Sequence, residues 1–346
     1  MTTQTEKAAR FLDLHRPGDP LLLPNPWDQG SAKLLASLGF RALATTSSGF
    51  ASTLGRLDGS VSRDEALAHA AAIVTATELP VSADLENCFA GDPDGVARTV
   101  ALAAETGLAG CSVEDSTGDD DESVYDLRLA AERVAAAAAA AHAGPARLVL
   151  TARAENYLHG RQDLADTITR LQAYQEAGAD VLYAPGLTHL ADIRQVVTSV
   201  DRPVNVLALS GAPPVSELAE AGVSRVSVGG AFAFAALGAL VDAATELRDK
   251  GTYGYLANTA TGRRAVQRAM LGREIRGPDR GRGTSVVLPK HQRAATAARR
   301  GHQEGLGSAR EHPGRGTPPE DVAHRGHDRV PLPGGADHHA LLVEQR

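Results

Sequence analysis

The sequence predicts a (β/α)8 barrel of the TIM type, followed by a C-terminal tail of irregular composition. Three observations predict the barrel. Short β-branched runs alternate with longer Ala- and Leu-rich helical patterns from about residue 20 to about residue 250. The runs number eight, the count of this fold, and the unit recurs roughly every 30 residues, the size of one βα unit. A doubly wound open sheet is the competing architecture, but no GxGxxG run follows the first strand.

The candidate strands are, in order, LLLPN, ALATTS, PVSAD, GCSVED, RLVLTAR, VLYAPG, PVNVLAL and RVSVGG. Glycines end the intervening helices: SLGF precedes the second strand, ETGLAG the fourth, EAGAD the sixth and EAGVSR the eighth. The most apolar window, VSVGGAFAFAALGALVDAA, is interrupted by glycines and has an Asp near its end. We therefore expect a buried strand–helix unit there and not a membrane span.

Three segments are predicted along the chain. Residues 1–255 form the catalytic barrel domain and residues 256–271 a terminal helical segment. Residues 272–346 are rich in Gly, Pro, Arg and His and lack helical or strand periodicity, so they are predicted to be disordered or non-homologous. A metal- or anion-binding tail and a frame-shifted extension are the two interpretations of this segment.

Composition excludes several classes of protein. The chain has 346 residues, 43% of them hydrophobic, and a formal net charge of -7, which disfavours nucleic-acid binding. Cys88 and Cys111 are the only cysteines and have no CxxC spacing, so neither a disulfide framework nor a structural zinc site is expected. The N-terminal residues lack an apolar signal region, and no uncharged apolar run reaches about 18 residues. We expect a cytoplasmic protein without a membrane partner.

Polar residues cluster where the candidate strands end, the place of the active site in such barrels. Asp84 and Glu114 end neighbouring strands, with few cationic residues nearby in the sequence, and would repel each other unless a positive group lay between them. Oxygen ligands without His or Cys point to Mg²⁺ or Mn²⁺. The alternative role for such acids is to cap the next helix, which we expect of Asp92 and, with equal weight, of Asp28 and Asp115.

Several motifs together resemble the isocitrate lyase/phosphoenolpyruvate mutase superfamily over about residues 15–255. They are NPWDQGSAKLLASLGF, TTSSGFASTLG, ADLEN, VEDSTGD, TARAENY and EAGADVLYAPG. The resemblance implies a Mg²⁺-dependent enzyme that makes or breaks a C–C or P–C bond beside a 2-oxo acid through an enolate. It also implies a homodimer or homotetramer that exchanges the helix after strand eight.

The resemblance assigns roles to the acidic residues and to one arginine. Asp84 would be the main carboxylate on the metal, and Glu86 and Glu114 would hold metal-bound waters. Arg153 would bind the substrate carboxylate or the enolate oxygen, where a fixed cation stabilises developing negative charge. A salt bridge from Arg153 to Glu155 or Glu114 that only holds the barrel mouth is the alternative.

The remaining candidate residues are carried over by position. The serines and the glycine of the TSSG motif would grip the substrate carboxylate, Trp27 would form a wall, and Asn205 of strand seven would contact substrate. Asp58 lies near the place of another catalytic acid. The candidate substrate-binding residues are therefore Trp27, Ser47, Ser48, Gly49, Arg153 and Asn205, and the candidate catalytic residues are Arg153 and Asp58.

Two departures from the family's motifs bear on function. The K-K-C-G-H loop of its lyases is absent, with STGDDDE after Glu114 instead, and Ser82 replaces the first Asp of the mutases' D-A-D-x-G. We predict a Mg²⁺-dependent lyase acting on a C–C bond of a small 2-oxo or 2-hydroxy acid. P–C bond chemistry, a phosphosugar-type barrel with phosphate at the VSVGG turn, and a catalytically silent barrel that serves as an interaction module remain alternatives.

Overall fold

The computed structural model describes residues 2–119 and 123–271, which fall within one compact unit. The predicted tail, residues 272–346, lies outside these described residues, so the expectation of disorder stays a prediction. Within residues 256–271 the chain forms a helix, Leu256–Met270.

Eight parallel strands form a nearly closed barrel, as predicted. Each predicted run contains one strand: β1 Leu21–Leu23, β2 Leu43–Ala44, β3 Val81–Asp84, β4 Gly110–Glu114, β5 Val149–Arg153, β6 Val181–Tyr183, β7 Val204–Leu207 and β8 Arg225–Ser227. Each strand pairs with the next along the chain from β2 to β8, and β8 pairs with β1. Between β1 and β2 the Ala44 amide donates to the Pro24 carbonyl at 3.1 Å.

Helices alternate with the strands along the described chain. They are α1 Gln4–Asp13, α2 Gln29–Ser37, α3 Ser47–Thr53, α4 Arg63–Ala76, α5 Pro93–Glu105, α6 Leu127–Ala143, α7 Leu164–Glu176, α8 Leu190–Ser199, α9 Val215–Glu220, α10 Ala231–Lys250 and α11 Leu256–Met270. Glycines follow the ends of the helices where they were predicted. Gly107 and Gly178 have φ of 87° and 105°, a backbone conformation that favours glycine.

Helix α1 covers the amino end of the barrel. Phe11 of α1 is fully buried and packs in one apolar cluster with Leu21, Val149 and Val181 of the strands. Gly110, at the start of β4, allows this approach, because a Cβ there would lie 3.0 Å from the Phe11 ring. The barrel is therefore closed below by α1, and any ligand must enter at the carboxyl ends of the strands.

Helix α10 differs from the expectation of a buried strand–helix unit. Strand β8 is buried, but in α10 the buried residue is Ala233, whereas Leu240 and Val241 are 63% and 62% exposed. Much of the apolar side-chain surface of this helix is therefore left uncovered by the rest of the described chain. Within residues 2–119 and 123–271, no helix is both long enough and apolar enough to cross a membrane.

Candidate active site

A cavity of about 120 Å³ lies at the carboxyl ends of the strands and reaches down between them. Its polar lining consists of Asn25, Thr45, Thr46, Ser47, Ser48, Asp58, Ser82, Asp84, Ser112, Arg153, Tyr183, Asn205, Arg225 and Ser227. Parallel strands bring these side chains together although they are scattered along the sequence. The cavity is the size of a small organic acid and is rich in hydrogen-bonding groups.

Arg153 is held by three carboxylates. Its Nη1 lies 3.1 Å from Asp84 Oδ1, its Nη2 lies 3.1 Å from Glu114 Oε2, and its Nε lies 2.7 Å from Glu155 Oε1. We call these four residues the acid–arginine cluster. The repulsion between Asp84 and Glu114 led us to expect a metal ion between them, and in the structure the Arg153 guanidinium lies there. The salt bridges considered as the alternative role of Arg153 are both present.

Glu114 of this cluster, and Glu86 close to it, resist ionisation. Burial, reinforced by Asp84 and Asp58, raises the pKa of Glu86 to about 8. Burial also raises the pKa of Glu114 well above its ordinary value, and Glu155 and Asp84 add to this effect while Arg153 opposes it. One guanidinium therefore does not compensate all of these acids in their ionised form, and a further cation would favour that form.

This donor set fits a hard divalent cation. In the described part of the chain no three His, Cys, Asp or Glu side chains converge into a ready-made metal cage. Mg²⁺, however, takes one or two carboxylates and completes its shell with water and substrate oxygens. Oxygen donors in excess of nearby positive charge meet that requirement, with Asp84 as the member that lines the cavity.

Asp84 is fixed by bonds from neighbouring strands. Its backbone amide donates to Thr45 Oγ1 at 2.9 Å, and its Oδ2 accepts from the Ser47 amide at 3.3 Å. Ser112 Oγ donates to Asp84 Oδ1 at 3.4 Å. The carboxylate therefore has one position, facing both Arg153 and the cavity.

The TSSG motif begins helix α3, and its members differ in their access to the cavity. Ser47 and Ser48 line it. Gly49 packs behind them, since a Cβ at this position would lie 2.6 Å from Thr46 Cγ2 and 3.2 Å from Trp27 Cβ. Trp27 and Gly49 lie beside the cavity and outside its lining, and their roles in substrate binding stay predictions.

Asp58 and Asn205 both line the cavity, as expected of site residues. Burial raises the pKa of Asp58, the nearby Asp84 raises it further, and a hydrogen bond from the Ser47 side chain partly offsets these effects. Asn205 is oriented by its neighbours: Nδ2 donates to Ser227 Oγ and Oδ1 accepts from Arg225 Nε, both at 2.9 Å. An amide nitrogen has a second N–H and an amide oxygen a second lone pair, so Asn205 can contact substrate while keeping both of these bonds.

A family model described as phosphoenolpyruvate phosphomutase matches residues 11–248 of the chain. The chain belongs to this family. Membership in the isocitrate lyase/phosphoenolpyruvate mutase superfamily is thereby confirmed, and with it the expectation of an enzyme of the carbon–carbon lyase and mutase group.

Three relatives show which proteins this family member resembles in sequence and in structure. A crystal structure provisionally described as a lyase/mutase from Burkholderia cenocepacia J2315 is 52% identical with a TM-score of 0.74, and the match covers 77% of this chain and 96% of that one. An oxaloacetate acetylhydrolase in complex with its product oxalate is 25% identical, with a TM-score of 0.67 and coverage of 73% and 90%. The 2-methylisocitrate lyase of Escherichia coli K12 is 29% identical, with coverage of 56% and 70%.

The cysteines of this family member are remote from acid–base chemistry. Cys88 and Cys111 are free and fully buried. Burial raises the pKa of Cys111 to about 12 and that of Cys88 well above its ordinary value. Neither thiol lines the cavity. They cannot stand in for the missing cysteine loop, as the sequence indicated.

The backbone amides that would bind phosphate in a phosphosugar-type barrel are already occupied by a protein side chain. The amides of Val228 and Gly229, in the VSVGG turn, both donate to Asn25 Oδ1 at 3.1 and 3.0 Å. These amides would have to bind the phosphate in such a barrel. Because they already bond Asn25, they connect the end of strand β1 to the turn after β8 and are not free to bind phosphate.

The capping expectations are confirmed for two acids and wrong for the third. Asp28 caps α2 by accepting from the Ser31 amide, and Asp92 caps α5 by accepting from the Gly95 amide. Asp115 caps no helix. It is buried and accepts from Arg170 Nη1 at 3.0 Å, Tyr174 Oη at 2.6 Å and the Glu155 amide at 2.8 Å. Asp115 thus anchors the chain that carries Glu155, a tertiary role that depends on α7.

The loop after β3 has an unusual backbone. Glu86, Cys88 and Phe89 have φ of 50°, 60° and 55°, in the left-handed region that non-glycine residues seldom adopt. Arg133 of α6 is buried beneath this loop. Its Nη1 donates to the Ala90 and Gly91 carbonyls and its Nη2 to the Asn87 carbonyl. A buried arginine therefore holds the segment that presents Glu86.

Sequence reasoning missed Arg225, Tyr183 and Ser227, which all line the cavity. Tyr183 lies beside Arg153, whose guanidinium carbon is 5.2 Å from the ring centroid. Arg225 is the first residue of β8 and is buried. The available signal was the charged residue at the start of the strand pattern RVSV. Its side chain reaches the cavity because it points into the barrel, a direction that the sequence does not give.

Proposed function

We propose that this family member is a Mg²⁺-dependent lyase that cleaves a C–C bond of a small 2-oxo or 2-hydroxy acid through an enolate intermediate. The observation that supports this most is the acid–arginine cluster on the wall of a small polar cavity. The likeness to an oxaloacetate acetylhydrolase and to a 2-methylisocitrate lyase agrees with it, since both names describe enzymes that act on small carboxylic acids.

Arg153 would stabilise the negative charge that develops on the substrate. Three carboxylates and the neighbouring Tyr183 ring fix the guanidinium, so little reorganisation is needed when an enolate oxygen forms. A donor that is already oriented stabilises the transition state more than the ground state. The hydroxyls of Ser47 and Ser48, which line the same cavity, would hold the substrate carboxylate.

The metal would be held by the acidic residues. Asp84 would bind it directly, and Glu86 and Glu114 would bind through water. When bound, Mg²⁺ supplies Lewis-acid polarisation of the 2-oxo group. Asp58 is the candidate to accept or return a proton, because it lines the cavity and burial moves its pKa upward, toward the working pH of a general base.

P–C bond chemistry of the mutase or hydrolase type is the second candidate. It is favoured by the family model, which is described as a phosphoenolpyruvate phosphomutase. Both candidates use an enolate beside the cleaved bond and therefore the same cluster. They differ in the group that leaves.

Turnover of a substrate panel tests the proposal. The purified protein is assayed with oxaloacetate, isocitrate, methylisocitrate and phosphonopyruvate, with Mg²⁺ and with excess chelator. We expect Mg²⁺-dependent cleavage of one of the C–C substrates and its loss in Arg153→Lys, which cannot keep all three carboxylate contacts. Arg147→Lys is the control, since Arg147 pairs with Asp180, away from the cavity lining. Phosphate release from phosphonopyruvate would favour the second candidate, and turnover that persists in chelator would contradict both.

We also propose that the protein forms a homo-oligomer and works in the cytoplasm. The exposed apolar side chains of α10 support an assembly in which another copy covers them. The free, buried cysteines fit a reducing compartment.

A further inference from the structure

The proposed cleavage needs two proton-transfer groups, and the cavity offers few of them. A base takes a proton from the substrate hydroxyl, and an acid gives a proton to the carbon that leaves. Among the described residues, no His, Cys or Lys lines the cavity. The lining has two carboxyl groups, of which Asp84 is assigned to the metal and Asp58 to the base. The acid is therefore still to be found.

Tyr183 is the remaining side chain of the lining that has an acidic proton. A phenol ionises near pH 10 in water, whereas the serine and threonine hydroxyls of the lining are far weaker acids and an arginine keeps its protons. Tyr183 belongs to β6, is 8% exposed and lines the cavity. Its phenol is therefore a proton donor largely shielded from bulk solvent.

Tyr183 lies across the barrel from the proposed base. In the ring of eight strands, β6 is four strands away from β2 in either direction. Asp58 lies on the β2 side, because its carboxyl group accepts a hydrogen bond from the side chain of Ser47, in the helix α3 that follows β2. A base and an acid on opposite walls suit a reaction in which protons move at the two ends of the bond that breaks.

The surroundings of Tyr183 help it to release a proton. Burial raises the pKa of Tyr183 to about 12, but the charges of Arg153 and Arg225 and a hydrogen bond with Ser227 oppose this increase. The Arg153 guanidinium carbon lies 5.2 Å from the centroid of the Tyr183 ring. Asn205 Nδ2 donates to Ser227 Oγ at 2.9 Å, so the hydrogen of the Ser227 hydroxyl is free to be donated to the phenol oxygen. The phenol proton then stays available for the substrate.

We propose that Tyr183 is the general acid of this enzyme and gives its phenol proton to the enolate carbon that forms when the C–C bond of the substrate breaks. The inference rests on the proposed function, which supplies the enolate. It also assigns a proton donor to a chain that lacks the K-K-C-G-H loop and whose two cysteines are buried outside the cavity lining.

The step balances with Asp58 and Tyr183. In a 2-hydroxy acid the hydroxyl proton passes to Asp58, the oxygen forms the new C=O bond, and the C–C bond breaks. The electron pair of the broken bond forms the enolate of the departing acid. The enolate carbon bonds to the phenol proton, and the electrons of the O–H bond stay on the tyrosinate. Solvent then takes a proton from Asp58 and returns one to Tyr183.

Tyr183→Phe tests this role, because it removes the phenol proton and keeps the ring that packs in the barrel. The variant is assayed with Mg²⁺ and the panel substrate that the wild-type protein cleaves. We expect kcat to fall by about 100-fold or more and KM to change by less than about threefold, since the proton is given only after substrate is bound. Tyr253→Phe makes the same chemical change at an exposed tyrosine between α10 and α11, and should behave as the wild-type protein.

Calorimetric titration of Mg²⁺ with oxalate separates a proton donor from a residue that only positions Arg153. Oxalate mimics an enolate but accepts no proton on carbon, so Tyr183→Phe should bind it as tightly as the wild-type protein does. This retained affinity also shows that the variant is folded. Parallel losses of turnover and of oxalate affinity would overturn the proposal, because Tyr183 would then act by holding Arg153 or the fold.

The same measurements distinguish this inference from the proposed function. If the wild-type protein cleaves no panel substrate with Mg²⁺, the proposed function is wrong, and so is the acid that serves it. If the wild-type protein and Tyr183→Phe cleave a panel substrate at equal rates, the lyase stands and only the role of Tyr183 is wrong.

Discussion

At the scale of single residues, Asp84 is the acid whose removal should be most damaging. It contacts Arg153 and lines the cavity, so Asp84→Ala removes a metal-side carboxylate and one anchor of the guanidinium. We expect Mg²⁺-dependent turnover to fall by about 100-fold or more. Asp92→Ala is the matched control in the same acidic segment, and the lost cap of α5 should cost about 1 kcal/mol of stability with little change in turnover. Steady-state kinetics and urea unfolding measure the two effects, and equal activity of both variants would exclude Asp84 from the site.

His15 should make stability depend on pH. Burial, with a further contribution from Arg225, lowers the pKa of His15 to about 3. Below about pH 6.5 the unfolded chain takes up a proton that the folded chain refuses, so stability should fall by up to about 1.4 kcal/mol per pH unit from pH 6.5 down toward pH 3. Above pH 6.5 this contribution is fully present. His15→Gln removes the proton uptake, and urea unfolding at pH 7.5 and pH 5 should show a smaller loss in the variant. An identical loss in both proteins would show that His15 is not the responsible group.

The sequence predicted which acids would meet but not what would lie between them. Asp84 and Glu114 were found because they end neighbouring strands, a property of position along the chain. That Arg153 occupies the space between them depends on register and on its side-chain conformation, because the β4–β5 pairing sets Glu114 opposite Arg153. Arg225 escaped notice because sequence alone does not tell whether the first residue of a strand points into the barrel or outward. Asp115 was misassigned because its partners Arg170 and Tyr174 come from a distant helix.

At the scale of elements, the loop after β3 depends on a residue of a helix that follows it by some forty positions. Arg133→Met leaves the Asn87, Ala90 and Gly91 carbonyls without their donor, under a backbone that is already in the left-handed region. We expect a loss of about 2–4 kcal/mol in stability and a weaker affinity for Mg²⁺, because Glu86 is no longer held.

The control for this loop lies on the same helix. Arg128 is exposed and pairs with Glu132, so Arg128→Met should change stability by less than about 0.5 kcal/mol. Urea unfolding and calorimetric titration of Mg²⁺ with oxalate measure both variants. If Arg133→Met loses stability but keeps the Mg²⁺ affinity of Arg128→Met, Arg133 supports the fold and not the site.

All eight strands were predictable because β-branched runs and glycine stops are local signals. Gly107 and Gly178, for example, end helices in the one conformation that favours glycine. The exposure of α10 was not predictable, since its apolar sequence is compatible with burial against either the barrel or another surface. Hydrophobic periodicity predicts which side chains are buried, but it does not predict which surface buries them.

At the scale of the whole molecule, α10 predicts association. Leu240 and Val241 lie largely exposed on one long helix, and a second chain that covers them would bury apolar surface. Sedimentation velocity should show a dimer or tetramer for the wild-type chain, and Leu240→Lys should shift it toward the monomer. Leu102→Lys, at a partly exposed leucine of α5, should leave the assembly intact. A wild-type chain that sediments as a monomer at all concentrations tested would contradict the proposal.

The few hydrogen bonds between β1 and β2 indicate where the barrel opens locally. Strand β2 has two residues and pairs with β3, while its other edge meets β1 through the Ala44 amide and the Pro24 carbonyl. The β4–β5 ladder, by comparison, aligns five residue pairs. Local opening should therefore begin at the β1–β2 seam, and hydrogen–deuterium exchange should be faster for the Ala44 amide than for amides of β5. Because β2 leads directly into Ser47 and Ser48, the wall of the cavity most able to adjust to the shape of a ligand is the one that would grip its carboxylate.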